Sequence, residues 1–546
     1  MKKETVSALI GAMLLFGSAA VVSAEEDIVI LYTNDVHCAV EADEENGVLG
    51  YGKIAAIKKD LEAEGNSVLL VDAGDAVQGA AVGTLSDGES IIELMNVCGY
   101  DLAVPGNHEF DYGMDQFLSL AEEADFPYIS CNFKDKTTDA SVFDGYAMEE
   151  LGGKKIAFVG VCTPKSITSS TPAYFQNEDG AYIYTFMQDE DGTALYDCVQ
   201  DTVDEAREAG ADYVIAVAHL GIEEACSPWM STELIEHTSG IDAVLDGHSH
   251  STLEQERVMD QAGKKVLLSS TGTKLAAVGK LTIHADGSMG TELITSYDHE
   301  DPVMAEKVDE ITGELEETMS EVVARTDVPL VINEPSTLDS ETKVRLVRNT
   351  ETNLGDLCAD AFRSEADADI ALLNGGGIRA DILAGDVTYG DIINVMPFGN
   401  ELCMVTATGQ QVLDALEMSV MAVPEEYGGF LQVSGITFEI NMDVDSPVIL
   451  DENGMLAGIE GERRVQNVTV GGEQLDPEKT YTVASHKYLL KDGGDGNTVF
   501  AGCELLLEDT KLDNRVLIDY ITEELGGVVG EEYAEPYGQG RIVAVE

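Results

Sequence analysis

Ile28-Val-Ile-Leu-Tyr-Thr-Asn-Asp-Val-His37 decides the architecture: six apolar or β-branched residues run straight into Asn, Asp and His. A continuous run of this kind suits a strand buried on both faces, which leaves the polar cluster at its C-terminal end. Outward along the chain the theme returns. Ser67-Val-Leu-Leu-Val-Asp-Ala-Gly-Asp75, Leu102-Ala-Val-Pro-Gly-Asn-His108 and Lys155-Ile-Ala-Phe-Val-Gly-Val161 come first. Tyr213-Val-Ile-Ala-Val-Ala-His219 and Ala243-Val-Leu-Asp-Gly-His248 follow. Helix-like stretches lie between the runs, over 53–64 and 202–209. This alternation predicts a layered α/β domain, and in such domains ligands bind at the loops leaving the strand C-termini.

A chain of 546 residues favours more than one domain, and 44% apolar residues suffice for packed cores. Residues 301–326 are acidic, with Val303, Val308, Ile311, Leu315, Met319 and Val322 at helical spacing. They predict a helical linker between a first domain at 25–300 and a second at 327–546. The second domain has its own strand-like runs, Asp369-Ile-Ala-Leu-Leu-Asn374 and Thr480-Tyr-Thr-Val-Ala-Ser485. The start of the chain reads as a secretory signal over 1–24: basic Met1-Lys-Lys3, an apolar stretch over 6–17, and small residues Val22-Ser-Ala24. A membrane anchor is the rival reading, but Ser and Gly interrupt the stretch, and a span needs about 20 mainly apolar residues. The expected product is a soluble periplasmic or extracellular protein with no membrane partner.

There are 102 acidic and 31 basic residues, a net charge of −71. Such a field repels nucleic acid polymers and anionic membranes, and otherwise reads as a solvated acidic surface. An anionic small-molecule substrate would need metal ions and a few placed arginines to reverse the field locally. The nine cysteines (38, 98, 131, 162, 198, 226, 358, 403 and 503) are dispersed without a C-x-x-C, which favours buried free thiols over catalysis.

Five polar clusters stand at the predicted strand ends: Asp35-Val-His37, Gly74-Asp75, Gly106-Asn-His-Glu-Phe-Asp111, His219, and Gly247-His-Ser-His250. Asp35 and His37 are expected on one side of an extended tail, since residues i and i+2 face the same way. A lone Asp-x-His is usually a capping or surface pair. Five clusters at sheet ends, in one order, point to a shared purpose, and mixed imidazole and carboxylate donors suit zinc or manganese better than calcium. This order resembles the calcineurin-like metallophosphoesterase superfamily, which implies a four-layer αββα domain. By that likeness Asp35, His37, Asp75 and His250 hold one divalent ion. Asp75, Asn107, His219 and His248 hold a second, with Asp75 bridging. Two ions about 3.5–4 Å apart lower the pKa of water and neutralise phosphate oxygens. His108 resembles the histidine that stabilises the transition state or protonates the leaving group, oriented by Asp111.

In the second half, Arg348 precedes Asn353-Leu-Gly-Asp356, and Asn374-Gly-Gly-Gly-Ile-Arg379 follows a strand-like run. Pro397-Phe-Gly-Asn400 and Gly493-Gly-Asp-Gly496 come later, with glycines that allow close approach to a ligand. Together these resemble the C-terminal, α+β substrate-binding domain of the 5′-nucleotidase family. The resemblance implies that Arg348 and Arg379 face the anionic side or base edge of a nucleotide. Asn374 and Asn400 would bond the nucleoside, Phe398 stack on the base, and Asp495 accept from ribose hydroxyls. Position 250, often Gln or Asn in that family, is His here. A second Phe, expected six residues before Asp495, is Leu489: either Tyr488 replaces the ring, or the base is held from one side. The implied activity is hydrolysis of nucleoside 5′-monophosphates. UDP-sugars, dinucleotides and 2′,3′-cyclic nucleotides remain as substrates, and a non-catalytic metal- or nucleoside-binding protein as a different class. The split of motifs between the halves also suggests rotation about the linker.

Overall fold

The computed structural model describes residues 27–545 apart from 45, 139, 178 and 338–343; the signal expected over 1–24 lies outside the described residues. The opening run forms the strand Ile28–Thr33, parallel to Ser67–Asp72 and antiparallel to Val278–Ile283. Met289–Ile294 and the short Leu102–Ala103 complete a five-stranded sheet. A six-stranded sheet runs in the order Thr252–Met259, Lys265–Thr271, Ala243–Asp246, Tyr213–His219, Lys154–Cys162, Tyr146–Leu151.

Alternation along the strands stacks these sheets face to face. Ile28, Ile30 and Tyr32 share a buried cluster with Ile156, Phe158, Ile215 and Val217 of the other sheet. Val29 and Leu31 point the opposite way, onto Ile54, Ile57 and Leu94 from the helices Gly50–Ala63 and Glu89–Cys98. Ala157, Val159 and Val161 likewise meet Leu195, Val199 and Val203 of the helix Thr193–Glu208. Both faces of each sheet are covered, as the unbroken apolar runs require. The result is the expected four-layer α/β/β/α domain. Thr193–Glu208 begins well before the 202–209 stretch anticipated for it, because Leu195, Val199 and Val203 already form its buried stripe.

Residues 301–326 divide in two. Asp301 caps the helix Pro302–Met319 by accepting from the Val303 and Met304 amides at 3.1 and 3.0 Å, and proline takes the first helical position. Met304, Val308 and Ile311 pack into the first domain, whereas Val303 is 61% exposed, so the buried stripe starts one residue later than its spacing suggested. Val322 does not continue the helix. It opens the strand Val322–Thr326, where β-branched residues fit, paired with Gly385–Thr388 and Val528–Val529 of the second half.

The second half is built on a five-stranded sheet ordered Leu431–Ser434, Ile370–Asn374, Thr480–His486, Glu401–Thr408, Glu504–Leu512. Ala371, Leu373 and Ala484 face the helices Asn353–Glu365 and Asp513–Asp519, while Ile370 and Leu372 face the helix Gly409–Ser419. This α+β unit closes against the first domain. The Thr84 hydroxyl donates to the Pro397 carbonyl at 2.6 Å, Gln188 Nε2 to Asn453 Oδ1 at 2.9 Å, and the Tyr488 hydroxyl to the Thr168 carbonyl at 3.3 Å. Among the described residues no helix is long and apolar enough to cross a membrane.

Candidate metal centre and substrate cleft

Each cluster in the first domain leaves a strand end. Asp35 and His37 follow Thr33, Asp75 follows Asp72, Asn107 and His108 follow Ala103, His219 closes its strand, and His248 and His250 follow Asp246. Five of these residues hold left-handed backbone: Asp35, His37, Asp75, His248 and His250 have φ of 49°, 45°, 62°, 80° and 55°. The Asp35–His37 tail is therefore not extended as its spacing suggested, although both side chains reach one cluster. Positive φ costs a non-glycine residue on the order of 1–3 kcal/mol, so surrounding contacts must impose it. The amides of Asp35 and His37 donate to the carbonyls of Gly74 and Asp75 at 2.9 and 3.0 Å, zipping two loops together. Glu109 accepts from the amides of Asp75 (2.8 Å), Ala76 (2.8 Å) and Gly106 (2.6 Å), tying a third loop to them. There is no room for side chains at the crossing: a Cβ on Gly106 would lie 2.2 Å from Asp75 Oδ1.

Donor atoms of Asp35, His37 and His250 lie within 4.8 Å of one another, and so do those of Asp75, His219 and His248. Asp75 reaches towards both groups, with Oδ2 3.1 Å from His219 Nε2 and 4.0 Å from His37 Nε2. His37 Nδ1 donates to the Gln78 carbonyl at 2.8 Å and His219 Nδ1 to the Ala73 carbonyl at 2.7 Å. Those bonds leave the Nε2 lone pairs aimed inward, the usual arrangement for metal-binding imidazoles. His37 Nε2 and His250 Nε2 converge to 3.0 Å. Asn107 Oδ1 and His219 Nε2 are buried with no hydrogen-bonding partner. Orphaned polar atoms of this kind are costly, and cations satisfy them, so the residues fit a pair of divalent ions of the zinc or manganese type.

Electrostatics divide the imidazoles. Burial drives His37, His248 and His250 well below the ordinary histidine range, into the neutral form that ligates. Burial also acts on His219, but Asp75 and Asp35 outweigh it and push the ring up to about 10. Burial opposes ionisation of Asp75 too, yet His219, His108 and His37 hold it well below the usual carboxylate range. His108 stands beside the clusters: its amide donates to Asp75 Oδ1 at 2.8 Å, and its Nδ1 donates to Asp111 Oδ2 at 2.5 Å. Ser170 donates to the other oxygen of Asp111 at 3.1 Å. Despite burial, Asp111 and Asp75 raise the His108 ring above its ordinary value.

The second domain presents its residues to the same place. The Phe398 ring lies 5.8 Å from the His108 ring, and the Arg379 guanidinium lies 5.8 Å from Phe398. Arg379 and Arg348 are half-buried; the Asp111, Asp75 and Asp35 carboxylates bear on Arg379, and those of Glu426 and Asp495 on Arg348. Asn374 Nδ2 donates to Asp495 Oδ2 at 2.9 Å. Asn400 is engaged elsewhere: its amide donates to Asp513 Oδ2 at 3.1 Å and its side chain also bonds Asp513, which anchors the Phe398 turn. Leu489 is fully buried in the core behind the sheet. Tyr488 lies against Gly494, and its hydroxyl accepts from the Asp495 amide at 3.0 Å.

Several members escaped the sequence reading. Glu109 sat inside a recognised motif without a role. Arg345 pairs with Glu426 at 2.7 Å, and its charge bears on Arg348, Arg379 and His250; its signal was a scarce arginine three residues before Arg348. The Tyr427 hydroxyl donates to the Asp495 carbonyl at 2.6 Å, in a loop whose Gly428-Gly429 pair was the available hint.

Similarity to known proteins follows the same division. A calcineurin-like phosphoesterase model matches residues 28–252, and a 5′-nucleotidase C-terminal domain model matches 322–502. The 5′-nucleotidase of Vibrio cholerae serotype O1 is 28% identical over 545 residues, covering 90% of each chain. The trifunctional nucleotide phosphoesterase protein YfkN of Bacillus subtilis is 29% identical over 95% of this chain, which spans 35% of that protein's length. The structure of a 5′-nucleotidase precursor from Thermus thermophilus matches with a TM-score of 0.77 at 26% identity, over 95% of this chain and 99% of that one. With both domains present in tandem around a dinuclear donor set, the chain belongs to the 5′-nucleotidase family of calcineurin-like metallophosphoesterases.

Proposed function

We propose that this protein is an exported hydrolase that removes the 5′-phosphate of nucleoside monophosphates, with domains over 25–300 and 327–546 joined by the segment 301–326. One observation carries the reading: Arg379 and Phe398 of the second domain stand against His108 and the Asp75-centred donors of the first. In this reading Asp35, His37, Asp75 and His250 hold one ion, and Asp75, Asn107, His219 and His248 the other. When bound, the two ions lower the pKa of water towards 7 and neutralise phosphoryl oxygens as charge builds. With Nδ1–H given to Asp111, His108 Nε2 holds the proton for the departing ribose oxygen. Arg379 and Arg348 reverse the acidic field where the phosphate enters, Phe398 stacks on the base, and Asn374 and Asp495 meet the sugar. Asn400 acts through Phe398, by fixing its turn.

Release of nucleoside and phosphate is tested on the full-length protein after chelation and re-addition of zinc or manganese. The panel includes nucleoside monophosphates, UDP-sugars, dinucleotides and 2′,3′-cyclic nucleotides, because the burial of Leu489 leaves Phe398 as the ring offered to the base. Metal-dependent release from 5′-monophosphates is the expected result, and no release from any phosphoester would defeat the enzyme reading. His108→Ala should slow kcat by about 10²–10⁴-fold with metal content unchanged. Unaltered turnover would remove the proton-holding role and favour a binding protein. Export is checked by the N-terminus of the mature protein, expected to follow Ala24.

A further inference from the structure

On the far side of the six-stranded sheet, a cavity of about 820 Å³ opens among Cys131, Lys134, Asp144, Asp197, Cys198 and Asp201. It lies apart from the metal centre, and neither cysteine is among the metal donors; both thiols are packed with the helix Thr193–Glu208 against the sheet and border the cavity at 3% and 8% exposure. Cys198 sits inside the helix Thr193–Glu208, and its Sγ donates to the Cys131 carbonyl at 3.2 Å. Both backbones are fixed. The Cys131 amide donates to the Gly160 carbonyl at 2.9 Å. The neighbouring Asn132 side chain donates to the carbonyls of Cys162 and Phe186 at 2.6 and 2.9 Å and accepts from the Cys162 amide at 3.0 Å.

We propose that Cys131 and Cys198 form a reactive dithiol, open to solvent through this cavity, which closes to an intramolecular disulfide on meeting a low-molecular-weight disulfide. Six other thiols supply the contrast. Burial pushes Cys38 and Cys98 up to about 12 and Cys226 up to about 11, and it raises Cys162, Cys358 and Cys503 as well. Cys198 moves the other way, to about 7: the Cys131 thiol beside it and the Lys134 ammonium outweigh its burial and Asp201. Two neighbouring thiols on the wall of a cavity, one of which gives up its proton more readily than the rest, are what disulfide exchange requires.

The exchange has two steps. Cys198 loses its proton and attacks one sulfur of the small disulfide, forming a mixed disulfide and releasing one thiolate, which takes up that proton. Cys131 then loses its proton and attacks the Cys198 sulfur, releasing the second small thiolate, which is protonated in turn. Two protein thiols are oxidised and one small disulfide is reduced to two thiols. The new bond joins positions 67 apart in the chain, tying residues 129–133 to the helix, a loop long enough to restrict the unfolded chain.

The folded full-length protein is incubated at pH 7 with oxidised glutathione, quenched with acid, and mapped by mass spectrometry without reduction. The expected product has lost two hydrogens and yields a peptide joining Cys131 to Cys198. Cys131→Ser should trap one glutathionyl group on Cys198, and Cys198→Ser should leave Cys131 unmodified. In the Cys131→Ser protein, adding Lys134→Met should slow the trapping several-fold, since thiolate and not thiol attacks. Circular dichroism checks that each variant is folded, and the wild-type linkage needs no variant at all. A stable glutathionyl adduct on wild-type Cys198 without closure would overturn the proposal. So would a linkage between other cysteines, or no reaction of Cys198 in folded Cys131→Ser protein.

Discussion

The two walls of the cleft are made differently. In the metal wall, the main chain does the positioning: strained Asp and His residues are held by loop-to-loop amide bonds and by Glu109, with His Nε2 atoms turned inward. In the substrate wall, side chains are already occupied with one another. Asn374 is bonded to Asp495, Arg345 to Glu426, and the Asp495 peptide lies between the hydroxyls of Tyr427 and Tyr488. A wall of the first kind is set before anything binds. A wall of the second kind must exchange partners before its polar groups can meet a ligand. Damage to the first should be near all-or-none, and damage to the second graded.

The largest test of that contrast is Asp75→Asn, because Asp75 reaches towards both donor groups. Its kcat should fall by about 10³-fold or more, with fewer than two ions per chain by elemental analysis. Two retained ions with near-normal turnover would break the comparison. Next comes Leu489→Ala. Leu489 is core packing here, so about 2–5 kcal/mol of stability should be lost in denaturant unfolding, with little change in KM. A large KM rise would show that this position faces the base after all. Phe398→Ala should cost about 1–3 kcal/mol in kcat/KM, similarly for purine and pyrimidine nucleotides, as one stacking face predicts. Strong dependence on the base would place selectivity in that ring. The smallest effect belongs to Thr84→Val, which removes one bond between the domains, worth about 0.5–1.5 kcal/mol. Solution scattering should show a shift towards a more open average, and identical profiles would argue against rotation about 301–326.

The metal wall was largely legible in the sequence because its chemistry is local. His219 ends a strand, and Asp35, Asp75 and His248 follow within three residues of one, so the apolar runs that predict the sheets also locate the donors. The layered fold was legible for the same reason. What escaped depended on distant contacts. Val303 and Met304 fit a helical stripe equally well, and only packing against the first domain selects Met304. Val322 keeps the helical spacing, yet pairing with Thr388, 66 positions on, recruits it to a sheet. Asn400 looks like a free ligand donor until Asp513, 113 positions on, claims it. Tyr427 gave little warning because its role is a single hydroxyl meeting a turn 68 residues away.

The carboxylate of Glu109 has a practical consequence for how this protein gains and loses its ions. The Asp75 and Ala76 amides of one loop and the Gly106 amide of another are gathered on one side chain, so main chain and Glu109 set the shape of the socket independently of any ion. Stripping and reloading then resemble filling a rigid vessel more than refolding a chain. Which ion occupies it is left to supply in the surroundings as much as to the protein's own preference.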